Sequence, residues 1–333
     1  MRDMDVQIKI PWLKLAVLAL VLVVAFVSCD KSFDARGTFD SEMVVFAVFS
    51  TDRTNQIVRV QQSYMPASYD PLSYTTENSL VDAIVSLNST SGSQQMRDTL
   101  VPYSDTSRYK IPTHAFVLDP FTPEFGATYE VVVQSIHHGV ASSSVVIPGQ
   151  SVITIDPIQL HTMDHTETYS QGSPITFVVK LSDNADGYVC KLFLYYDVLK
   201  GTKWFEERVE VPITSADPKN YTLDYPVYPR LQKAPKTVKI GANYLNGYFR
   251  GTVSTINSRY HSRLIFKWAT FVVLQADKNL FKYYVTTHPD QDPYSMRLDE
   301  PLYSAIDGGL GVVGAYSLDS LVDLLPGNFW GNR

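Results

Sequence analysis

Apolar and polar residues along this chain alternate with a period of two far more often than they recur at helical spacing. Met43-Val44-Val45-Phe46-Ala47-Val48-Phe49, bounded by Glu42 and Ser50, suits a central strand covered on both faces. Ile57-Val58-Arg59-Val60-Gln61 alternates like a half-exposed strand, and Val81, Ala83, Val85 and Leu87 fall on one face of another. Residues 129–134 and 143–147 flank His137-His138-Gly139, which reads as a hairpin with glycine at its turn. Between these strands, Pro66 and Pro71 break up the tyrosine-containing stretch 64–74.

The second half repeats the theme. Strands are predicted at 153–155, 175–181 and 188–196, the last two joined by the polar turn Ser182-Asp183-Asn184-Ala185-Asp186-Gly187. Val209, Val211 and Ile213 alternate with Arg208 and Glu210, so one face of that strand should be wet. Stretches 248–256 and 264–274 read as two more strands, and the proline- and tyrosine-bearing 221–235 as a long excursion. One helix is expected, at 277–288. Asp277 can cap it, Leu280 with Tyr284 and Phe281 with Val285 repeat four apart, and Pro289 follows its end. The fold class expected is all-β: an Ig-like antiparallel sandwich over 41–150 and a second β-rich domain over 151–333 that carries the helix.

One stretch obeys neither period. Leu15 to Val27 is an uninterrupted run of thirteen apolar residues, preceded by Lys9 and Lys14 and followed by Ser28-Cys29. As a helix it would rise only about 20 Å, short of the roughly 30 Å hydrocarbon core, so it reads as a secretory signal rather than a membrane span. Phe26-Val27-Ser28-Cys29 resembles the bacterial lipoprotein signal, with Phe26 where that pattern usually has Leu. The resemblance implies removal of 1–28, acylation of Cys29 as the new N-terminus, and a tether over 29–40. An acylated cysteine converts the protein from secreted to membrane-anchored through its N-terminus, and the acidic Asp30 and Asp34 beside it hint at the outer membrane or the cell surface.

Composition narrows the remaining possibilities. With Cys29 lipidated, Cys190 has no partner, so the fold stands without an intrachain disulfide; in its strand-like surroundings Cys190 reads as a buried, inert thiol. The formal net charge is −6 and no Lys/Arg cluster stands out, which argues against nucleic acid as a partner.

Candidate chemistry is sparse. Gly309-Leu310-Gly311-Val312-Val313-Gly314 has dinucleotide-fingerprint spacing but opens no helix and leaves no room for the βαβ unit, so a close-packed or bulged last strand fits better. His161, Asp164 and His165 have a metal-like i, i+4 spacing in what reads as an interdomain loop, and adjacent His137 and His138 would point apart. Glu206 and Glu207 are neighbours on a strand and should face opposite sides, so they cannot flank one glycosidic bond. The turn 183–187 departs from calcium-loop spacing. No catalytic constellation, metal site or cofactor motif emerges. Aromatics remain: Trp204 with Tyr221, Tyr225 and Tyr228 could form a flat face for stacking on sugars or gripping another protein, while Trp268, centred in an apolar run, reads as core.

Taken together, the lipobox, Met43-Val44-Val45-Phe46, the phrase Ile57-Val58-Arg59-Val60-Gln61-Gln62-Ser63-Tyr64, the Gly126-Ala127-Thr128-Tyr129 lead and the closing 306–317 run resemble an uncharacterised family of Bacteroidota-type exported lipoproteins, a domain of unknown function. The resemblance implies genes often placed beside TonB-dependent outer-membrane transporters and a surface or periplasmic accessory role, and it brings no catalytic residues; the anchor, the strand pattern and the missing active-site constellation point to a protein that binds a transporter or a glycan or peptide ligand at the outer membrane. Two other readings stay open: a fimbrillin-like pilus subunit trimmed after Arg36, and a glycan- or peptide-directed hydrolase.

Overall fold

The first strand of this chain lies beside the last, and that pairing organises everything between them. The computed structural model describes residues 38–66, 78–101, 112–155, 175–211, 214–215, 231–242, 247–260, 263–287 and 303–323. β1 (Met43–Ser50) runs parallel to β17 (Leu310–Asp323), in register from Val44 with Leu310 to Ser50 with Tyr316. A parallel pair needs a crossover, and here the crossover is most of the chain.

β1 and β17 sit inside a nine-stranded sheet. On one side of β1 come β2 (Gln56–Gln62), β6 (Thr113–Leu118) and β5 (Arg97–Val101). On the far side of β17 lie β16 (Leu264–Ala276), β11 (Gly187–Lys200) and β12 (Lys203–Val211), with the short β14 (Gln232–Lys233) also paired to β11. A four-stranded sheet of β4 (Gly92–Gln95), β3 (Ile84–Ser89), β7 (Thr128–Ser135) and β8 (Gly139–Val146) covers the N-terminal end. A second four-stranded sheet, of β13 (Thr214–Ser215), β15 (Thr237–Ala242), β10 (Ile175–Lys180) and β9 (Val152–Ile155), belongs to the other half. This is the all-β, sandwich-like class that the alternation predicts.

Alternation chooses the buried faces. Met43, Val45, Ala47 and Phe49 of β1 join Val58, Val60, Val85, Leu87, Val131 and Val133 in one core; Phe177, Val179, Leu192, Leu194, Phe271 and Val273 build another. The first core also takes in Ile306, Val313 and Ala315 from the end of the chain, and one sheet runs through both cores. β17 makes the transition: Val313 and Ala315 belong to the first core, Leu321 packs on the second, and between them Ser317 and Asp319 are buried. A polar waist forms there. Gln275, fully buried on β16, accepts from Ser182 N (2.7 Å) and donates to Gly149 O (2.8 Å) and Ser317 Oγ (3.2 Å). Asp319 Oδ2 accepts from Ser151 N (2.7 Å) and Ser151 Oγ (2.8 Å). Buried polar groups are costly unless partnered, and these partner one another where the chain crosses near residue 150 between the halves.

The glycines at 308–314 allow close packing, not nucleotide binding. A Cβ on Gly309 would stand 2.7 Å from Met43 O, one on Gly311 2.1 Å from Val45 O, and one on Gly314 2.7 Å from Leu280 Cβ. Gly311 also has φ +111°, which a side chain would strain.

Two helices are described. α2 (Lys278–Thr287) lies where the capping pattern places it: Asp277 accepts from Asn279 N and Leu280 N, both at 3.0 Å, and from Ala315 N of β17 at 2.8 Å. Its Tyr283 meets Phe46 edge to face, so the second face of β1 is covered in part, while Val48 stays exposed. α1 (Gly247–Tyr260) corrects the strand expected at 248–256. Its β-branched and aromatic content favours strands, but Thr252, Ile256 and Tyr260 stand four apart, and the buried Ile256 carries that stripe into the second core. Two smaller differences follow. The 182–187 turn joins β10 to β11 as expected but passes between different sheets, and β3 starts at Ile84, leaving Val81 exposed.

Candidate functional site

β11, β12 and β16 turn one face to the second core, and the opposite face carries a band of aromatic and charged side chains. Strand alternation sends Leu192, Leu194, Tyr196 and Val198 inward, so Phe193, Tyr195 and Asp197 face out. The cross-strand register sets Arg208 opposite Tyr195, Glu206 opposite Asp197, and Trp204 opposite Leu199 at the hairpin end. On the other side Trp268 pairs with Tyr195. The register shifts between Tyr195 and Tyr196, a bulge that leaves Lys267 unpaired beside Trp268 and brings both to this face.

The band is internally matched. Tyr195 and Trp268 stack with centroids 5.7 Å apart at 26°. Lys267 Nζ sits 4.6 Å from the Trp268 ring centre and pairs with Glu206 Oε2 at 2.7 Å and Asp197 Oδ1 at 3.4 Å. The hydrogen bond to Glu206 pushes the Lys267 ammonium above the usual lysine range, so it stays charged. Arg208 lies over Phe193, 4.9 Å from the ring centre, and donates to Tyr195 OH at 3.3 Å. Trp204 is 48% exposed at the end of this row, next to exposed Phe205.

Glu207 points the opposite way, as neighbours on a strand must. It pairs with Lys200 and accepts from Tyr196 OH (3.3 Å) and Tyr260 OH (3.2 Å). The bond from Lys200 holds its carboxyl below the ordinary glutamate range. Glu206 and Glu207 therefore never share a substrate, and each is tied to a lysine rather than poised as an acid. What the band offers is a stacking surface bordered by hydrogen-bonding groups of both signs.

The other sequence candidates fare differently. Trp204 is in the band, and Trp268, expected in the core, is half-buried on it because Ala269, Phe271 and Val273 take the inward positions of β16. Tyr221, Tyr225, Tyr228, Cys29, and the His161, Asp164 and His165 group all lie outside the described residues. His138 Nε2 is 3.3 Å from Ser41 Oγ, and His137 is exposed at the hairpin turn. Cys190 is buried, and desolvation pushes its thiol up to about 12. Among the described residues no three His, Cys, Asp or Glu side chains gather as a metal site requires. Sequence reading missed Phe193, Tyr195, Lys267 and Arg208; the alternation of aromatic and charged residues at 193, 195 and 197 with 204, 206 and 208 was the signal.

Residues 30–321 match the family described as Domain of unknown function (DUF4249), and the chain belongs to that family. No curated protein matches it. Among solved structures it is similar to the C-terminal globular domain of an oligosaccharyltransferase from Pyrococcus abyssi, at 9% identity and TM-score 0.24 over 70% of this chain and 47% of that one. The chain thus spans about half the length of the solved chain it matches.

Proposed function

We propose that this member of the DUF4249 family is a non-enzymatic, lipid-anchored protein of the cell envelope, acylated at Cys29 at the outer membrane, that binds a glycan or peptide ligand as an accessory to an outer-membrane transporter. The observation that carries the binding role is the exposed aromatic and charged band on β11, β12 and β16. Pyranose rings and peptide side chains stack on such faces through dispersion and C–H contacts, and the flanking Asp197, Glu206, Lys267 and Arg208 supply directional hydrogen bonds. The envelope part rests on the lipoprotein-type signal before Cys29, and the transporter on the family resemblance.

Affinity capture from detergent-solubilised membranes tests the reading, with wild type beside Trp204→Ala. Trp204 is exposed, so its removal leaves the core intact. Wild type should retain an envelope partner or a bound glycan or peptide, and Trp204→Ala should hold at least about tenfold less, the worth of one stacking contact. Recovery of no envelope protein, glycan or peptide by the wild type refutes it.

A further inference from the structure

The chain enters the folded unit at Ser41, and the apolar side chains left exposed around that point form a pattern. Ser41 Oγ hydrogen-bonds with His138 Nε2 at 3.3 Å and with Ser63 O at 3.2 Å, which puts the β7–β8 hairpin turn and the end of β2 at the tether's point of arrival. Gln62 N donates to Asn78 O, and Leu80 N to Val60 O, bringing 78–82 to the same place. Asp82 Oδ2 then accepts from Ser135 Oγ (2.8 Å) and Ile136 N (3.0 Å), fastening that segment to the hairpin. Gln134 links Ile84 on one side to Val140 on the other in one row across β3, β7 and β8.

This pole exposes side chains that a water-facing surface ordinarily hides. Ile136, at the turn, is 86% exposed, Val81 64%, Val140 59% and Ile84 50%, and Tyr64 and Met65 follow the end of β2. A single exposed apolar residue needs no explanation. A group of them around one point of a molecule marks an interaction surface.

We infer that this pole is the face that rests on the bilayer, with Ile136, Val140 and Val81 entering the headgroup region beside the acyl anchor. The inference rests on the proposed acylation of Cys29. Eleven residues lie between Cys29 and Ser41, so even a fully extended tether holds the pole within about 40 Å of the lipid surface. At that range a weak apolar contact is in effect intramolecular, so a few shallow side chains suffice to hold the pole against the bilayer. The geometry also gives the contact a use. Following β17, β16 and β11 at about 3.3 Å per residue, the Gly201–Thr202 turn lies roughly 75 Å from Ser41 along the strands, so a pole seated on lipid turns the Trp204 end of the aromatic band away from the membrane.

Site-directed spin labelling of the full-length acylated protein tests this. Cys190 is buried and Cys29 carries the lipid, so Ile136→Cys, Val140→Cys and Thr202→Cys each provide one labelling site. The variants are reconstituted into vesicles of phosphatidylethanolamine and phosphatidylglycerol. Nitroxides at 136 and 140 should collide with dissolved oxygen about threefold more often than with a polar nickel chelate, as partition into an apolar layer requires, and the label at 202 should show the reverse. Labels at 136 and 140 that behave like 202, while mass spectrometry finds acylated Cys29, overturn the bilayer contact and leave the anchor standing. Shielded labels with dipolar broadening that persists on dilution in lipid mean self-association and overturn it too. An unacylated Cys29 refutes the anchor itself, and this inference falls with it.

Discussion

Replacing Gly311 by alanine would drive the first and last strands apart. Gly311 adopts φ +111°, and a Cβ there would stand 2.1 Å from Val45 O and 3.1 Å from Val45 N. A carbon and an oxygen need about 3.3 Å, so the strands must separate by about 1 Å or the backbone must twist. The backbone strain costs about 1–3 kcal/mol, and loosening two ladder hydrogen bonds about 1 kcal/mol each, together about 4 kcal/mol. An ordinary domain has only about 5–15 kcal/mol in hand. Gly139→Ala is the control: its φ is +77°, but nothing lies within 4 Å of the added carbon, so strain alone applies, about 1 kcal/mol. Urea unfolding followed by tryptophan fluorescence measures both. A difference below about 1 kcal/mol between the two variants would refute the idea that the β1–β17 contact, rather than glycine's freedom, requires Gly311.

Gln275→Leu keeps the volume but leaves Ser182 N without its acceptor in the buried waist; the same urea titration should show a loss of about 3 kcal/mol, and a neutral result would mean the waist is not structural. Burial raises the Asp277 carboxyl above its ordinary range, so the folded state holds this proton more tightly than the unfolded one. Its contribution is therefore present at acid pH and is lost as pH rises from the ordinary carboxylate value through the raised one; Asp277→Asn should flatten that fall in a pH series of unfolding curves, and an unchanged slope would refute the assignment. Because burial pushes Cys190 up to about 12, iodoacetamide at pH 8 should modify native protein at least about 1,000-fold more slowly than protein unfolded in urea; comparable rates would place the thiol at the surface.

Where physics is local, the sequence was readable. An uninterrupted apolar run located β1, period-two alternation located β2, Gly139 marked the β7–β8 turn, and Asp277 announced α2, because pleat, turn and cap all act within a few residues. Neither the β1–β17 pairing nor the single sheet through both cores was visible, since that register joins positions more than 260 residues apart. α1 was misread because Tyr248, Phe249, Val253 and Ile256 favour strands individually, whereas the helix depends on a stripe that gains value only against the second core. Trp204 was legible as an exposed aromatic, but Lys267 was not: one bulge between Tyr195 and Tyr196 brings it to the face that Trp268 takes, and nothing in the spacing announces it. Val81 shows the same limit, an alternating apolar residue that the segment leaves in solvent beside the tether.

The envelope role and the bilayer contact both depend on where the chain is attached. Mass spectrometry of the N-terminal peptide of protein extracted from its native membranes tests this most directly. The peptide should begin at Cys29 and carry the added mass of fatty acyl groups. A chain that begins at Gly37, as a pilus subunit trimmed after Arg36 would, or a Cys29 without acyl groups, contradicts the account.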